Sequence, residues 1–70
     1  GDCFAGEVGL SGEIRPTARI EQRIAEADKL GYKRIFVPNQ QKNIQTSKYS
    51  IEIRFVDKIE QVIVAAFGNG

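Results

Sequence analysis

The sequence contains no histidine and a single cysteine, Cys3. Without a second thiol it cannot form an internal disulfide, and without imidazole it lacks Cys/His zinc sites and histidine-dependent nucleophilic catalysis. It also lacks the apolar run of about 18 residues that spans a bilayer. Residues 1–4 show no basic or apolar part of an export signal. These absences predict a cytoplasmic location and no membrane partner.

An excess of charge of either sign is also missing. Ten Lys and Arg residues against nine Asp and Glu residues leave a net charge of +1, so any basic surface must be local. The composition is 41% hydrophobic and 27% charged, which is typical of a folded domain. Seventy residues form one small domain, and a core of that size supplies only about 3 to 5 kcal/mol.

Glycine punctuates the first sixteen residues. Gly6, Gly9 and Gly12 stand three apart, but neither Gly-x-Gly-x-x-Gly nor a Gly-Lys-Ser/Thr phosphate loop is present. We therefore interpret residues 1–16 as a β-hairpin in which Gly12 supplies the positive φ of the turn. The two arms are predicted at residues 7–10 and 13–15.

The next segment predicts an amphipathic helix over residues 17–31, beginning near position 18. Pro16 favours a helix start, and Thr17 is placed to act as the N-cap. Gly31 is the expected residue just past the helix C-terminus, with Tyr32 completing the cap. Apolar residues at helical spacing predict a buried stripe made of Ile20, Ile24, Ala27 and Leu30.

The remaining sequence predicts a strand, a loop, a second strand and a helix. Residues 33–38 hold a short apolar run ended by proline, which is typical of a strand buried on both faces. Residues 39–50 are polar and predict a loop that includes one helical turn. Residues 51–55 alternate between apolar and polar, which indicates a strand with one wet face.

The last helix is predicted over residues 57–67. Asp57 and Glu60 form a pattern like a capping box, and Gly68 ends the helix. One helical stripe is predicted to lie in the core: Ile59, Val62, Ile63, Ala66 and Phe67. The expected fold class is mixed α/β (α+β), a β-hairpin followed by a right-handed β-α-β crossover, a loop and a final β-α pair.

Two basic clusters are the candidate binding residues. Arg15, Arg19 and Arg23 stand four apart, and Lys33 and Arg34 follow the first helix. Such a stripe contacts phosphates or an acidic partner, or it is a solvated face; its spacing alone favours the solvated face. Catalysis has little support, because the carboxylates, Ser11 and Cys3 lack the neighbours that acid–base or nucleophilic chemistry needs. The single cysteine is instead expected to pack as a small hydrophobe.

Three runs carry a resemblance to a known family: Gly6–Pro16, Arg19–Arg23 and Ala27–Pro38. Together they resemble the C-terminal end of the RadA (Sms) family of bacterial DNA repair proteins. The resemblance is close over about the first forty residues. It is looser over residues 51–67.

The resemblance implies a fold and an outcome for catalysis. That region of RadA is similar to the proteolytic domain of Lon, which has the fold of ribosomal protein S5 domain 2, so residues 1–70 would form a single partial domain of this type. Lon uses a Ser-Lys dyad, and matching the proline and glycine that flank the helix puts Arg23 at the lysine position. Arginine keeps its proton and cannot serve as a general base, so the resemblance implies a degenerate site and no enzyme activity in this segment.

The implied role is that of a scaffold in a larger machine. RadA proteins carry a zinc ribbon and a RecA-like ATPase that uses ATP and magnesium. They assemble into hexameric rings and act on DNA during recombination, including branch migration. No residue of those zinc or ATP sites occurs here, so no cofactor is expected in this segment. The candidate contacts to DNA or to a neighbouring subunit are Arg15, Arg19, Arg23, Lys33 and Arg34.

Two alternatives stay open at this point. The first is a fragment of an active Lon-type Ser-Lys peptidase, which Arg23 disfavours. The second is the related domain of the magnesium-chelatase-like competence proteins. Residues 21–23, Glu-Gln-Arg, favour the RadA family over that group.

Overall fold

A three-stranded parallel sheet lies at the centre of the computed structural model, which describes residues 1–68. Its strands are ordered β1-β4-β5, and a two-stranded antiparallel hairpin, β2-β3, lies beside it. The long connection between β4 and β5 is a loop, as predicted, but it contains two short 3₁₀ turns, Asn39–Gln41 and Thr46–Lys48, where the sequence predicts one. The elements are β1 (Asp2–Phe4), β2 (Glu7–Val8), β3 (Ile14–Arg15), α1 (Ile20–Lys29), β4 (Arg34–Pro38), β5 (Glu52–Val56) and α2 (Ile59–Phe67).

The two helices cover opposite faces of the sheet. Ile35 and Val37 of β4 pack in one apolar cluster with Ile24 and the rest of the buried side of α1. Phe36 points to the other face, where it packs with Val56 and with α2. Side chains alternate along a strand, so β4 is buried on both faces, as its apolar run predicts. Neither described helix has the length or the apolar character to cross a membrane.

The first residues differ from the sequence prediction. Residues 2–4 do not belong to the hairpin; they form β1, which pairs in parallel with β4 so that Asp2 lies opposite Arg34. The crossover therefore connects β1 to β4 through α1, with the hairpin inserted before the helix. The reason is tertiary, because Cys3 and Phe4 pack on opposite faces of the sheet and gain burial only beside β4.

The antiparallel hairpin is confirmed, but Leu10, which was predicted in its first arm, lies in the loop. Val8 lies opposite Ile14, and the N–H of Gly9 donates to the carbonyl of Glu13 at 2.9 Å. A three-residue loop thus connects the arms, and Gly12 at its last position has φ of 82°. This is the usual three-residue hairpin connection, in which the left-handed residue restores the strand direction.

The predicted N-cap of α1, Thr17, is wrong. The helix begins at Ile20, and Thr17 is not its N-cap. The backbone N–H and carbonyl of Thr17 instead form hydrogen bonds of 3.1 and 2.9 Å with the side-chain amide of Gln41. Arg19 occupies the N-cap position in a left-handed conformation, with φ of 56°, and no side chain caps the first turn.

The predicted C-terminal cap of α1, formed by Gly31 and Tyr32, is present in the backbone. Gly31 has φ of 88° and donates its N–H to Asp28, while Tyr32 donates to Ala27 at 3.1 Å. These two bonds form a Schellman motif. Leu30, which was predicted in the buried stripe, is 75% exposed because it lies past the last helical residue.

The final helix differs from its prediction in the cap and in one face. Asp57 and Glu60 do not form a capping box; the side-chain oxygen of Gln61 accepts the N–H groups of Asp57 and Lys58 at 2.6 and 2.8 Å. Ile63 and Phe67, expected in the core, are 51% and 83% exposed. The side that packs on the sheet is formed by Ile59, Val62 and Ala65.

Candidate nucleic-acid interface

The candidate cations lie in three separate places. Arg15 is on β3, Arg19 and Arg23 are at the start of α1, and Lys33 and Arg34 follow its end. A ten-residue helix is about 15 Å long, so the two ends of α1 present independent surfaces. The structure therefore brings together only Arg19 and Arg23.

Arg34 is committed to the fold. Its guanidinium donates two hydrogen bonds to the carboxylate of Asp2, at 2.7 and 3.2 Å, and a third to the carbonyl of Ala65 at 3.2 Å. The hydrogen bond from Arg34 lowers the pKa of the Asp2 carboxyl below its ordinary value. The same guanidinium lies 5.0 Å from the centre of the Phe36 ring. Three of its five N–H donors are therefore used within the fold, and those of Nη1 are left.

Arg15 is engaged by its neighbour Glu13. The closest atoms of the two side chains are 2.8 Å apart, and the carboxylate also accepts the N–H of Ser11 at 3.0 Å. The pKa of Glu13 is lowered by hydrogen bonds from its own backbone N–H and from Arg15. The sequence offers this carboxylate weak support as an acid–base group. In the structure it stabilises the hairpin loop by accepting these hydrogen bonds.

Arg19 and Arg23 border a shallow groove on the exposed side of α1, together with Gln22 and Glu26. Within residues 1–68 neither arginine has a carboxylate oxygen within 4 Å. The Nε of Arg23 donates to the carbonyl of Ala18 at 3.3 Å, which leaves its two terminal nitrogens available. Each guanidinium group can bind one phosphate group through two parallel hydrogen bonds. Two such groups one helical turn apart could therefore bind neighbouring phosphates.

Glu21, the acidic residue in the first turn of α1, forms an ion pair with a residue outside the helix. The carboxylate of Glu21 lies 3.1 Å from the ammonium of Lys48 and accepts the hydroxyl of Tyr49 at 3.2 Å. The hydrogen bond from Lys48 is the largest cause that lowers the pKa of Glu21. Glu21 therefore does not offset the charge of Arg19 and Arg23. The sequence gives no signal for this contact, because Lys48 lies in a polar loop far along the chain.

The remaining candidates form no reactive cluster. Lys33 is exposed and contributes its backbone N–H to Gly1 at 2.8 Å. Cys3 is half-buried in β1 and packs against the α1-side core. Over the described part of the chain, no three His, Cys, Asp or Glu side chains converge closely enough to hold a metal ion.

Comparison with known proteins places the sequence in a family. No protein-family model matches the chain. The DNA repair protein RadA of Listeria monocytogenes is 46% identical over 65 residues, 93% of this chain and 14% of that protein. RadA of Bacillus subtilis is 43% identical over 68 residues, 97% of this chain and 15% of that protein. RadA of Streptococcus pneumoniae is 46% identical over 66 residues, 94% of this chain and 16% of that protein.

The similarity covers nearly all of this chain and a small part of each relative. The chain spans only 14% to 16% of the length of these three proteins. Identity above 40% over 65 or more residues includes the hairpin, both helices and the central sheet. The chain therefore belongs to the RadA family of DNA repair proteins.

Proposed function

We propose that this segment is a non-proteolytic, Lon-like scaffold within a RadA-type DNA repair protein, and that Arg19 and Arg23 contact DNA phosphates in the assembled protein. The observation that carries the proposed DNA contact is the pair of exposed arginines at the start of α1 that have no carboxylate partner in residues 1–68. DNA is chosen as the ligand because the relatives are named as DNA repair proteins.

The other candidate cations serve as an internal comparison. Arg15 and Arg34 each have a carboxylate partner at 2.8 and 2.7 Å. A phosphate would have to displace those carboxylates, and such an exchange gains little because one anion replaces another. A phosphate at Arg19 and Arg23 displaces water and counterions rather than a paired carboxylate, and it would share the groove with Glu26. Lys33, at the far end of α1, is proposed as a weaker accessory contact.

The backbone of Arg19 supports a role for its side chain. A left-handed conformation costs a residue other than glycine roughly 1 to 2 kcal/mol, and Arg19 has φ of 56° and ψ of 45°. Strained residues of this kind are concentrated at functional sites. The positive end of the helix dipole lies at the same terminus and favours an anion there.

The absence of proteolysis is proposed on chemical grounds. Arg23 stands where the Lon resemblance expects the lysine of the Ser-Lys dyad, and a guanidinium keeps its proton. Its Nε is also engaged by the carbonyl of Ala18. In this proposal Arg23 binds anions at the position where a Lon-type peptidase has its catalytic lysine.

The wider activity belongs to the rest of the polypeptide. We propose that the whole protein is a DNA-dependent ATPase that uses magnesium and a zinc ribbon, forms a ring and acts in branch migration in the bacterial cytoplasm. The present segment would contribute to assembly of the ring and to its DNA contacts. Its own residues would bind neither ATP nor zinc.

The proposal is tested by the affinity for single-stranded DNA of a full-length RadA-type protein that contains this segment. The double substitution Arg19→Ala and Arg23→Ala should weaken binding, because two charge-assisted contacts to phosphate are lost. Arg54→Ala is the matched control, since this exposed arginine lies on β5 and pairs with Glu52 at 3.1 Å. It should leave the affinity unchanged.

The outcome that contradicts the proposal is equally specific. Equal affinity of the wild-type and doubly substituted proteins, measured at the same salt concentration with both proteins folded, excludes the DNA contact. Loss of ring assembly with unchanged DNA affinity of the remaining rings would assign the two arginines to a subunit contact instead.

A further inference from the structure

The loop between β4 and β5 holds the chain on both sides of Arg19. Before Arg19, the side-chain amide of Gln41 binds the backbone of Thr17. After it, the ammonium of Lys48 lies 3.1 Å from the carboxylate of Glu21. Thr17 and Glu21 are each two residues from Arg19. A single loop therefore fixes the backbone at both ends of the turn that carries this arginine.

Gln41 uses both polar atoms of its amide on one residue. Its Oε1 accepts the N–H of Thr17 at 3.1 Å, and its Nε2 donates to the carbonyl of Thr17 at 2.9 Å. Both residues are half-buried. A backbone N–H can only donate and a carbonyl can only accept, so the two bonds together fix the orientation of both peptide groups around Thr17.

The turn that Gln41 holds supports both arginines of the proposed DNA contact. Arg19 has φ of 56° and ψ of 45°, and no side chain caps the first turn of α1. The carbonyl of Ala18 accepts the Nε of Arg23 at 3.3 Å. Left-handed backbone at a residue other than glycine persists only where the surrounding structure holds it. The hydrogen bonds from Gln41 provide that hold from outside the helix.

We propose that Gln41 is a positioning residue for DNA binding, a role that rests on the proposed contact of Arg19 and Arg23 with phosphates. It acts through the backbone of residues 17–19, which sets where the two guanidinium groups begin. Gln41 makes no phosphate contact of its own in this role, because its amide is uncharged and is already bonded to Thr17.

The benefit of this contact lies in preorganisation. Binding is weakened by the cost of ordering the groups that form the contact, and a turn that is already held avoids part of that cost. Without Gln41 the turn can relax out of the strained conformation of Arg19. The affinity for DNA should then fall although every charged side chain is still present.

The test is a double-mutant cycle on the affinity for single-stranded DNA, in a full-length RadA-type protein that contains this segment. Gln41→Met keeps the length of the side chain and removes both hydrogen bonds to Thr17. It should weaken binding roughly two- to tenfold, the effect of one or two lost hydrogen bonds. Once Arg19 and Arg23 are both alanine, it should have no further effect, because the residues it acts through are gone.

Gln40→Met is the matched control. Gln40 is the exposed neighbour of Gln41 in the same 3₁₀ turn, and the hydrogen bonds to Thr17 come from Gln41. This substitution makes the same chemical change one position away. It should leave the affinity unchanged in both backgrounds.

The salt dependence separates positioning from a purely structural role. Gln41→Met removes no charge, so a smaller slope of log affinity against log salt concentration would report arginines that no longer reach a phosphate. The slope should fall toward that of the protein in which Arg19 and Arg23 are alanine. A lower melting temperature with the wild-type affinity and slope in the folded protein would overturn the proposal.

Two further outcomes contradict the proposal in distinguishable ways. Weaker binding that persists when Gln41→Met is added to the doubly substituted protein would show that Gln41 acts elsewhere than through the two arginines. If replacing Arg19 and Arg23 by alanine leaves the affinity unchanged, the proposed function fails and the positioning role fails with it. If only Gln41→Met is without effect, the positioning role alone fails.

Discussion

Arg34 and Asp2 face each other at the first paired position of β1 and β4, joined by two hydrogen bonds of 2.7 and 3.2 Å. The same guanidinium reaches the carbonyl of Ala65 on α2. One side chain thus connects the edge strand, the central strand and the second helix. This relationship explains why a cation that looks available in the sequence is occupied in the folded chain.

Arg34→Met should lower the melting temperature of the seventy-residue chain by several degrees, because the edge strand loses its ion pair and its connection to α2. The pKa of Asp2 should rise toward its ordinary value of 3.8, since the hydrogen bond from Arg34 is the main cause that lowers it. Thermal unfolding and NMR titration measure the two effects. Arg54→Met, at an exposed pair on β5, should change the melting temperature little.

Glu21 should make stability depend on acid pH. Its pKa is lowered below 4.5, chiefly by the hydrogen bond from Lys48. The folded state therefore favours the ionised carboxylate more strongly than the unfolded state does. That contribution is present at neutral pH and is lost as the pH falls through the lowered pKa. Urea unfolding should therefore show E21Q less stable than wild type at pH 7, with the difference closing in stronger acid. A constant difference at every pH would contradict the role of the ion pair.

Ile24 should be among the most sensitive core positions. It is fully buried between α1 and the sheet, and shortening such a side chain to alanine costs about 2 to 5 kcal/mol. A domain of this size has about 3 to 5 kcal/mol in total, so Ile24→Ala should leave much of the chain unfolded at 25 °C, as seen by circular dichroism. Ile63→Ala, at a half-exposed position on α2, should be tolerated; equal loss at both positions would show that the core is placed wrongly.

Two backbone positions with positive φ should respond in opposite directions. Gly31 has φ of 88° and no atom within 4 Å of an added Cβ, so Gly31→Ala should cost about 1 kcal/mol through backbone strain alone. Arg19→Gly should stabilise the chain relative to Arg19→Ala by about 0.5 to 1 kcal/mol, because it removes the strain at φ of 56°. Chemical denaturation measures both, and a loss of stability in Arg19→Gly would contradict the strained N-cap.

The parts of the fold that depend on local chemistry were predictable. The positive φ of Gly12 and Gly31 follows from the hairpin loop and from the helix end, and the short apolar run of β4 predicts burial on both faces. These features are encoded within a few residues of where they act. The sequence alone therefore predicts the α/β class, the hairpin and both helices.

Several predictions were wrong because the decisive contacts join residues far apart in the chain. Thr17 did not cap α1 because Gln41 binds its backbone groups. Residues 2–4 became a sheet strand because β4 lies beside them. The ion pair of Glu21 with Lys48 joins positions that no local pattern relates.

In the candidate interface, too, local spacing is predictable from the sequence and contacts between distant residues are not. Spacing along the chain correctly groups Arg19 with Arg23, which lie one helical turn apart. It also groups Arg15 and Arg34 with other cations, but their carboxylate partners are visible only in the folded chain. Burial and pairing therefore separate cations that stabilise the fold from cations that are available to a ligand.

The salt dependence of DNA binding tests the central claim most directly. Each phosphate contact with single-stranded DNA contributes about 0.7 to the slope of log affinity against log salt concentration. In the full-length protein, the double substitution Arg19→Ala and Arg23→Ala should reduce the magnitude of this slope by about 1.4, while Arg54→Ala should leave it unchanged. An identical slope in wild-type and doubly substituted protein would contradict a phosphate contact by Arg19 and Arg23.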